Sequence, residues 1–357
     1  MLKILKKILL ILLVGLFPVS SLADGFIAHP PGYPVYETDQ KAVIFYEANQ
    51  ETIILSAAFR GQAKDFAWII PTPNRPKVEK SSDELFASLD ELTRTKRDWE
   101  KPIPLINEGG ITQKPYTPVT VWENKKIEYY NISILSADNS HNLVNWLNKN
   151  GYHYPKEYDY ILDDYINNHW FFVAAKIDLN IIHEQNINQQ IKTGHIIPLK
   201  INFTTSKIVY PLRISSIQIK IKPDQLKSKK YFYPPSSAGI LLYIFTQHKQ
   251  TLPKFTTLYA NWVESDKIKN LAYDNKGNSW IKTNQGKYYL TKLYRRMNFS
   301  EMTYDLYPRQ ASNDQVAPHT PDGIEHSQRR FYWLLLISGL LTLIFSGWIF
   351  YEFRKDK

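Results

Sequence analysis

The stretch AVIFYEANQETIILSAAF, at residues 42–59, sets the fold class of this 357-residue chain. Two runs of apolar and β-branched residues, 42–46 and 52–59, flank the polar pair Asn49-Gln50. Such runs around a short polar break are typical of a β-hairpin, and a third run follows at 66–70. The chain therefore opens with a meander of strands, and Pro71 is expected to end the third because proline cannot donate to a ladder.

Three short helices are predicted to interrupt the strands. Ser81 and Glu84 have the spacing of a capping box ahead of a stripe of leucines. Asp138, Asn139 and Ser140 offer an N-cap for a second helix that Gly151 would end in a left-handed conformation. Pro155 precedes a third helix with an amphipathic stripe.

Further strands are expected along the rest of the chain. Apolar runs at 129–135, 170–175 and 240–245 are typical of buried strands, and strict alternation at 199–203 and 217–221 is typical of strands with one wet face. Together these patterns predict an α+β fold, mostly antiparallel β-sheet with a few packed helices.

Residues 97–126 contain four prolines and the pair Gly109-Gly110. We interpret this stretch as a mostly irregular connection and as a possible subdomain boundary within one body, residues 24–307.

The N-terminus has the layout of a signal peptide, residues 1–23. Lys3, Lys6 and Lys7 precede an apolar run at 8–17 that is too short to span a bilayer. Small residues precede the expected cleavage site between Ala23 and Asp24. The alternative is an uncleaved N-terminal anchor.

The C-terminus predicts one transmembrane helix at 329–351. Residues 331–351 carry no charge, and their length fits the roughly 20 residues that cross a hydrocarbon core. Aromatic rings that prefer the headgroup layer stand at both ends and would anchor it: Phe331, Trp333, Trp348 and Tyr351. The alternative is a buried core helix.

The segments around this helix complete the expected topology. The basic tail at 352–357 would stay in the cytoplasm. The polar, proline-containing segment 308–328 is interpreted as a flexible stalk, or alternatively as a segment docked on the domain. The localisation predicted is a single-pass type I protein of the cell (inner) membrane, with its body in the periplasm or extracellular space.

Composition excludes several classes of site. The chain has no cysteine, so disulfides, iron–sulfur clusters and thiolate zinc sites cannot form. The net charge of +10 falls to about +4 once the six net positive charges of the two ends are set aside. Dedicated nucleic-acid-binding proteins are more basic than this body, so no nucleic-acid partner is expected.

Several segments resemble a family of exported bacterial proteins defined by domain of unknown function 2330. The resemblance rests on PPGYPVYE at 30–37, DFAWIIPTP at 65–73, SDELF at 82–86, Trp146-Leu147 with Asn150-Gly151-Tyr152 and Pro155, WFFVAAK at 170–176, and IVYPLRIS at 208–215. The resemblance implies an extracytoplasmic domain behind a signal peptide, often with a C-terminal membrane helix. It implies no activity, and it does not extend to residues 255–305.

Searches for chemistry give weak signals. The nine histidines form no metal-binding motif, and Asp159, Asp163 and Asp164 are more typical of a solvated helix face than of a calcium site. There is no Gly-x-Ser-x-Gly motif and no phosphate-binding glycine loop, and no cofactor is expected.

One basic stretch is a candidate contact with an anionic surface. Lys227, Lys229 and Lys230 lead into three aromatic residues. A solvated loop is the alternative that the composition favours.

The sequence leaves three functions open. The first is a membrane-tethered binding or scaffolding module of the cell envelope, whose partners are the bilayer and an unknown envelope protein or polymer. The second is an envelope hydrolase or transferase acting on wall or surface polymer. The third is an accessory subunit of a membrane complex.

Overall fold

The computed structural model describes residues 26–28, 35–61, 65–94, 118–178, 196–217, 236–274 and 276–317. Its strands are β1 (Phe26–Ala28), β2 (Val35–Glu47), β3 (Gln50–Gly61), β4 (Asp65–Thr72), β5 (Lys77–Lys80), β6 (Val119–Ile127), β7 (Tyr130–Ala137), β8 (Phe171–Asp178), β9 (Leu199–Thr204), β10 (Ser237–Thr246), β11 (Gln250–Thr251), β12 (Thr256–Glu264), β13 (Lys287–Asn298) and β14 (Arg309–Gln310). Its α-helices are α1 (Asp83–Thr93), α2 (Ser140–Lys149), α3 (Asp159–Asn167) and α4 (Ser265–Lys269). The prediction of a strand-rich α+β fold is confirmed.

The first hairpin forms where the sequence predicts it, with its turn one residue earlier than the pair Asn49-Gln50. Glu47 pairs with Gln50 at the end of β2 and β3, so the turn contains only Ala48 and Asn49. Both turn residues have positive φ, 48° and 60°, as the two-residue turns that match the twist of a hairpin require.

The described strands form two large sheets. The small sheet has the order β1-β4-β8-β7-β6, and all its pairs are antiparallel. The large sheet has the order β12-β13-β10-β2-β3-β9-β5. Its single parallel pair joins β10 to β2, whereas its other neighbours are antiparallel.

Three clusters of buried side chains define the layers. The central cluster combines Trp68 and Val173 of the small sheet with Ile44 and Leu242 of the large one, so the two sheets pack face to face. A second cluster packs α2 and α3 on the outer face of the small sheet. A third packs α1 and α4 on the outer face of the large sheet. The chain therefore builds a β-sandwich with helices on both outer faces.

Local signals in the sequence are correct to within a residue or two. The N-cap of α1 is Ser82 and not Ser81, because the Ser82 hydroxyl accepts from the Glu84 backbone N–H at 3.1 Å. Of the three N-cap candidates for α2, the structure shows Asn139 in that role, and Gly151 follows that helix with φ of 82°.

Pro71 does not end β4. It pairs with Phe172 of β8, and the strand continues to Thr72. The described part of β1, on the other side of β4, pairs with it as far as Ile69. Pro71 lies beyond these pairs, next to the last residue of β4, and sheets tolerate proline near strand ends and edges.

The predicted irregular connection at 97–126 is wrong for its last part. Strand β6 forms a hairpin with β7 there, and its half-exposed polar residues reflect an edge position that hides the apolar pattern. Strands from both sides of this connection share each sheet, so it does not divide the body into two subdomains. Residues 95–117 lie outside the described residues.

The predicted flexible stalk is wrong for residues 308–317, which pack on the body. Strand β14 pairs with β11, and Ala317 exchanges two backbone hydrogen bonds of 2.9 Å with Ala260 of β12. The Asp314 carboxylate also accepts from the Lys249 backbone N–H at 2.8 Å and lies 2.9 Å from His248 Nδ1. The remainder of the predicted stalk, 318–328, and the predicted strand beyond Ile217 lie outside the described residues.

Candidate binding cleft

A polar cleft of about 410 Å³ opens where the end of β4, helix α3 and two C-terminal loops meet. Its lining comes from four parts of the chain: Pro73 and Asn74; Asp164, Tyr165, Asn168 and Trp170; Thr205, Ser206, Lys207, Val209 and Arg213; and Tyr304, Asp305 and Tyr307. Clefts of this size are common as ligand sites when a few polar groups converge in them.

The buried carboxyl of Asp305 joins two of these parts. Its Oδ1 accepts from the Tyr165 hydroxyl at 2.7 Å and from the Arg213 backbone N–H at 2.9 Å. Burial raises the pKa of Asp305 to about 6, although these donors oppose the shift. Burial also raises the pKa of Tyr165 well above its usual range, so this tyrosine remains a donor at physiological pH.

Each charged side chain on the wall of the cleft has a neighbour. Arg213 forms an ion pair with Asp164, and its guanidinium lies 5.9 Å from the centre of the Tyr160 ring. The Lys207 ammonium lies 3.9 Å from the centre of the Tyr307 ring, within the range of a cation–π contact. The cleft is therefore rich in polar groups but close to electrically balanced.

Aromatic rings and amides complete the rim. The Trp170 ring packs 5.0 Å from that of Tyr165, and Tyr304 is 59% exposed. The side-chain amide of Asn168 donates to the Asp164 carbonyl at 2.7 Å, and that of Asn74 donates to the Thr204 carbonyl at 2.8 Å. These bonds fix two side-chain amides in the cleft that the aromatic rings also line.

The loop at 205–209 is fixed from beneath by a buried glutamate. Glu51 is 0% exposed, and its Oε2 accepts from the Val209 backbone N–H at 2.9 Å. Its Oε1 has no hydrogen-bond partner among the described residues. Burial raises the pKa of Glu51 well above its usual range, because a charged carboxylate is disfavoured away from water.

The acidic helix residues noted in the sequence serve different purposes. Asp163 accepts from the backbone N–H of Ser140, and Asp164 pairs with Arg213. Burial and the nearby Asp163 raise the pKa of Asp159. In the part of the chain that the structure describes, no group of three or more ligand-type side chains could hold a metal ion.

The other residues singled out from the sequence lie outside the described residues. They are the cleavage pair Ala23 and Asp24, the basic residues Lys227, Lys229 and Lys230, and the anchor residues Phe331, Trp333, Trp348 and Tyr351. Among the residues that the structure does describe, no helix has the length and hydropathy needed to cross a membrane.

The cleft itself was not identified from the sequence. Four lining residues fall in segments that carry the family resemblance: Pro73 in 65–73, Trp170 in 170–176, and Val209 and Arg213 in 208–215. Asp305 and Tyr304 lie in a stretch without resemblance or periodicity.

Comparison with known proteins identifies the family. The model of a family described as uncharacterized protein conserved in bacteria (DUF2330) matches residues 18–227. The match covers more than half of the chain, which therefore belongs to this family, as the resemblance predicted. Searches of curated proteins and of solved structures gave no match.

Proposed function

We propose that this member of the DUF2330 family is a membrane-tethered binding module of the bacterial cell envelope. The signal-like residues 1–23 and the uncharged stretch 331–351 support export followed by anchoring through one helix. On this proposal the body lies on the extracytoplasmic side of the membrane. An envelope polymer or protein is its partner.

The balanced charge and exposed rings of the cleft carry this proposal. Flat apolar rings beside hydrogen-bonding side chains suit a polyhydroxylated ligand, which offers both apolar ring faces and hydroxyl groups. Trp170, Tyr304 and Tyr307 provide the rings, and Asn74 and Asn168 stand beside them. A glycan strand of the envelope is the polymer that this chemistry fits best.

The carboxyl groups of the cleft favour binding over catalysis. Asp305 Oδ1 already accepts two hydrogen bonds, and Asp164 is held by Arg213. A general acid or base must be able to reach the substrate proton, and these groups are engaged with the protein itself.

A hydrolase or transferase acting on the same polymer is the second candidate. One observation favours it: Asp305 has a pKa of about 6 and shares the cleft with the ion-paired Asp164. Carboxyl groups with unlike environments are the usual acid and base of glycoside cleavage.

Binding of purified glycan strands to the detergent-solubilised full chain tests the proposal. Replacing Tyr304 with alanine should weaken binding about three- to tenfold, because a stacked ring contributes roughly 0.5–1.5 kcal/mol. Tyr273→Ala is a matched control, since Tyr273 is also exposed, at 39%, but lies outside the cleft. Equal binding by both variants, or no binding by the wild-type chain, would reject the cleft as a glycan site.

The same mixtures separate the two candidate functions. A binding module leaves the strands intact, whereas an enzyme releases shorter products or a transferred group. Products that appear with the wild-type chain and vanish with Asp305→Asn would replace the binding proposal with the enzymatic one.

A further inference from the structure

The body ends against one edge of the large sheet. On its open side, edge strand β12 exchanges two backbone hydrogen bonds with Ala317, through Ala260. The Tyr289 hydroxyl donates to the Asp314 carbonyl at 3.1 Å, and the Lys249 ammonium donates to the Gln315 carbonyl at 2.8 Å. These bonds fix the position of residues 314–317, the last residues that the structure describes.

An exposed apolar and basic surface lies at this end of the described residues. We define the exit surface as Trp262, Lys287 and Val316. Val316 is 50% exposed and Trp262 is 36% exposed. The Lys287 ammonium lies 4.5 Å from the centre of the Trp262 ring, which also packs 5.1 Å from the ring of Tyr289.

Two lysines lie at the exit surface. The Lys287 ammonium lies over the Trp262 ring, and the Lys249 ammonium donates to the carbonyl of Gln315, the residue before Val316. Each lysine near a membrane surface is attracted to anionic lipid headgroups by about 1 kcal/mol.

The chain beyond Ala317 keeps this surface close to the proposed anchor. Thirteen residues, 318–330, separate it from the uncharged stretch that begins at Phe331. Thirteen residues reach at most about 45 Å even when fully extended. Ala317, which is bonded to the β12 edge, is therefore the described residue closest along the chain to the proposed anchor.

We propose that the exit surface rests on the anionic headgroups of the bilayer that holds the anchor, so that the body lies on the membrane by its β12 edge. This inference rests on the proposed membrane anchor. Tryptophan and lysine together suit the headgroup layer, because the indole ring prefers the interface and the lysine stem can extend its charge to water and phosphate.

The absence of cysteine permits a direct test with single fluorescent labels on the full chain. Val316→Cys places an environment-sensitive dye on the exit surface. Lys77→Cys places it on β5, the opposite edge strand, about 29 Å away at six strand spacings. Both labelled chains are reconstituted in vesicles of phosphatidylcholine with or without phosphatidylglycerol.

The Val316→Cys label should shift to shorter wavelength and be quenched by lipid-borne quenchers in the phosphatidylglycerol vesicles, whereas the Lys77→Cys label should not. Raising the salt concentration should reduce the shift, because salt screens the attraction. Adding Trp262→Ser and Lys287→Glu should abolish it, and Lys126→Glu on β6 serves as the matched charge reversal far from the exit surface.

The outcomes distinguish the proposed membrane anchor from the proposed contact of the exit surface with the bilayer. If the chain resists alkaline extraction from the vesicles but the two labels behave alike, the anchor stands and the exit surface is rejected. If alkaline extraction removes the chain from the vesicles, the anchor fails and the inference fails with it.

Discussion

The residues up to 217 fall within the family match, and residues 236–317 lie beyond it, yet the two regions are interleaved in one body. The first region provides the whole small sheet and four strands of the large one. The second provides β10, β12 and β13, with β10 lying directly beside β2. The span of sequence resemblance is therefore shorter than the unit that folds.

The cleft is also built from both regions. Its walls come from the matched region, but Tyr304, Asp305 and Tyr307 come from the second region. A carboxyl from beyond the match thus links helix α3 to the loop at Arg213. The following predictions test how strongly the two regions depend on each other.

The largest effect should come from ending the chain between the regions. Residues 24–235 lack β10, β12 and β13, so the apolar edge of β2 and much of the central cluster would be exposed to water. We expect no cooperative unfolding transition for 24–235 and a clear one for 24–317, measured by circular dichroism during heating. Cooperative unfolding of the shorter chain would show that the matched region folds alone.

The link at Asp305 should produce the next largest effect. Its pKa is about 6 in the folded protein and near 3.8 in an unfolded chain. The folded state therefore binds more protons between these values, and its stability falls as the pH rises from about 4 to above 6. The loss from this group amounts to about 3 kcal/mol.

Asp305→Asn is the matched variant, because the amide retains an oxygen for Tyr165 and Arg213 but cannot ionise. Its free energy of unfolding, measured with urea from pH 4 to pH 7, should lack this part of the pH dependence. Parallel curves for the two proteins would contradict the raised pKa. Asp305→Ala should be less stable at every pH, because it leaves both donors without an acceptor.

A smaller effect is expected where β13 contacts α1. Lys292 is 1% exposed, and its ammonium lies 3.5 Å from Asp90 Oδ1 and 3.3 Å from Thr93 Oγ1. Asp90→Ala removes the carboxylate from a buried ammonium and should cost about 2 kcal/mol, a value below that of a fully buried pair because Asp90 is 35% exposed.

Lys292→Met tests the same contact from the other region. It removes the buried charge while it retains much of the side-chain volume, so combining it with Asp90→Ala should add little to the loss. Chemical denaturation of the two single variants and the double variant measures this coupling. Additive losses would show that the two side chains do not depend on each other.

The smallest effect should stay within the matched region. Ser82→Ala removes the side-chain cap of α1 and should cost about 1 kcal/mol. Ser300→Ala, at an exposed serine of the second region, is the control and should leave the melting temperature unchanged. If Ser82→Ala also has no effect, α1 is held by its packing alone.

The fold class and most strands could be predicted from periodicity. The alternation of apolar and polar residues at 199–203 indicates which face of the strand is exposed to solvent. Strand β9 shows the same alternation of buried and half-buried residues. Strand β6 was missed because an edge strand keeps polar residues on both faces. For 308–317 the sequence left a flexible stalk and a docked segment open, and favoured the stalk, because the docking depends on backbone bonds and on a few contacts of Asp314 that leave no periodic pattern.

The candidate site could not be predicted from the sequence, because its contacts also depend on the tertiary structure. Tyr165 and Asp305 are separated by 140 positions, and no local sequence pattern predicts their hydrogen bond. Glu51 stands beside a turn, where a glutamate is normally exposed, but the loop at Val209 closes over it. Such contacts become visible only when distant strands have been placed.

The parallel pairing of β2 with β10 also governs the time at which the protein can fold. Each pair joins residues 200 positions apart, as Gln40 with Ile240. At a synthesis rate of about 5–20 residues per second, on the order of ten to forty seconds pass between the synthesis of β2 and that of β10. Throughout that interval the apolar edge of β2 lacks the neighbour that covers it in the finished sandwich.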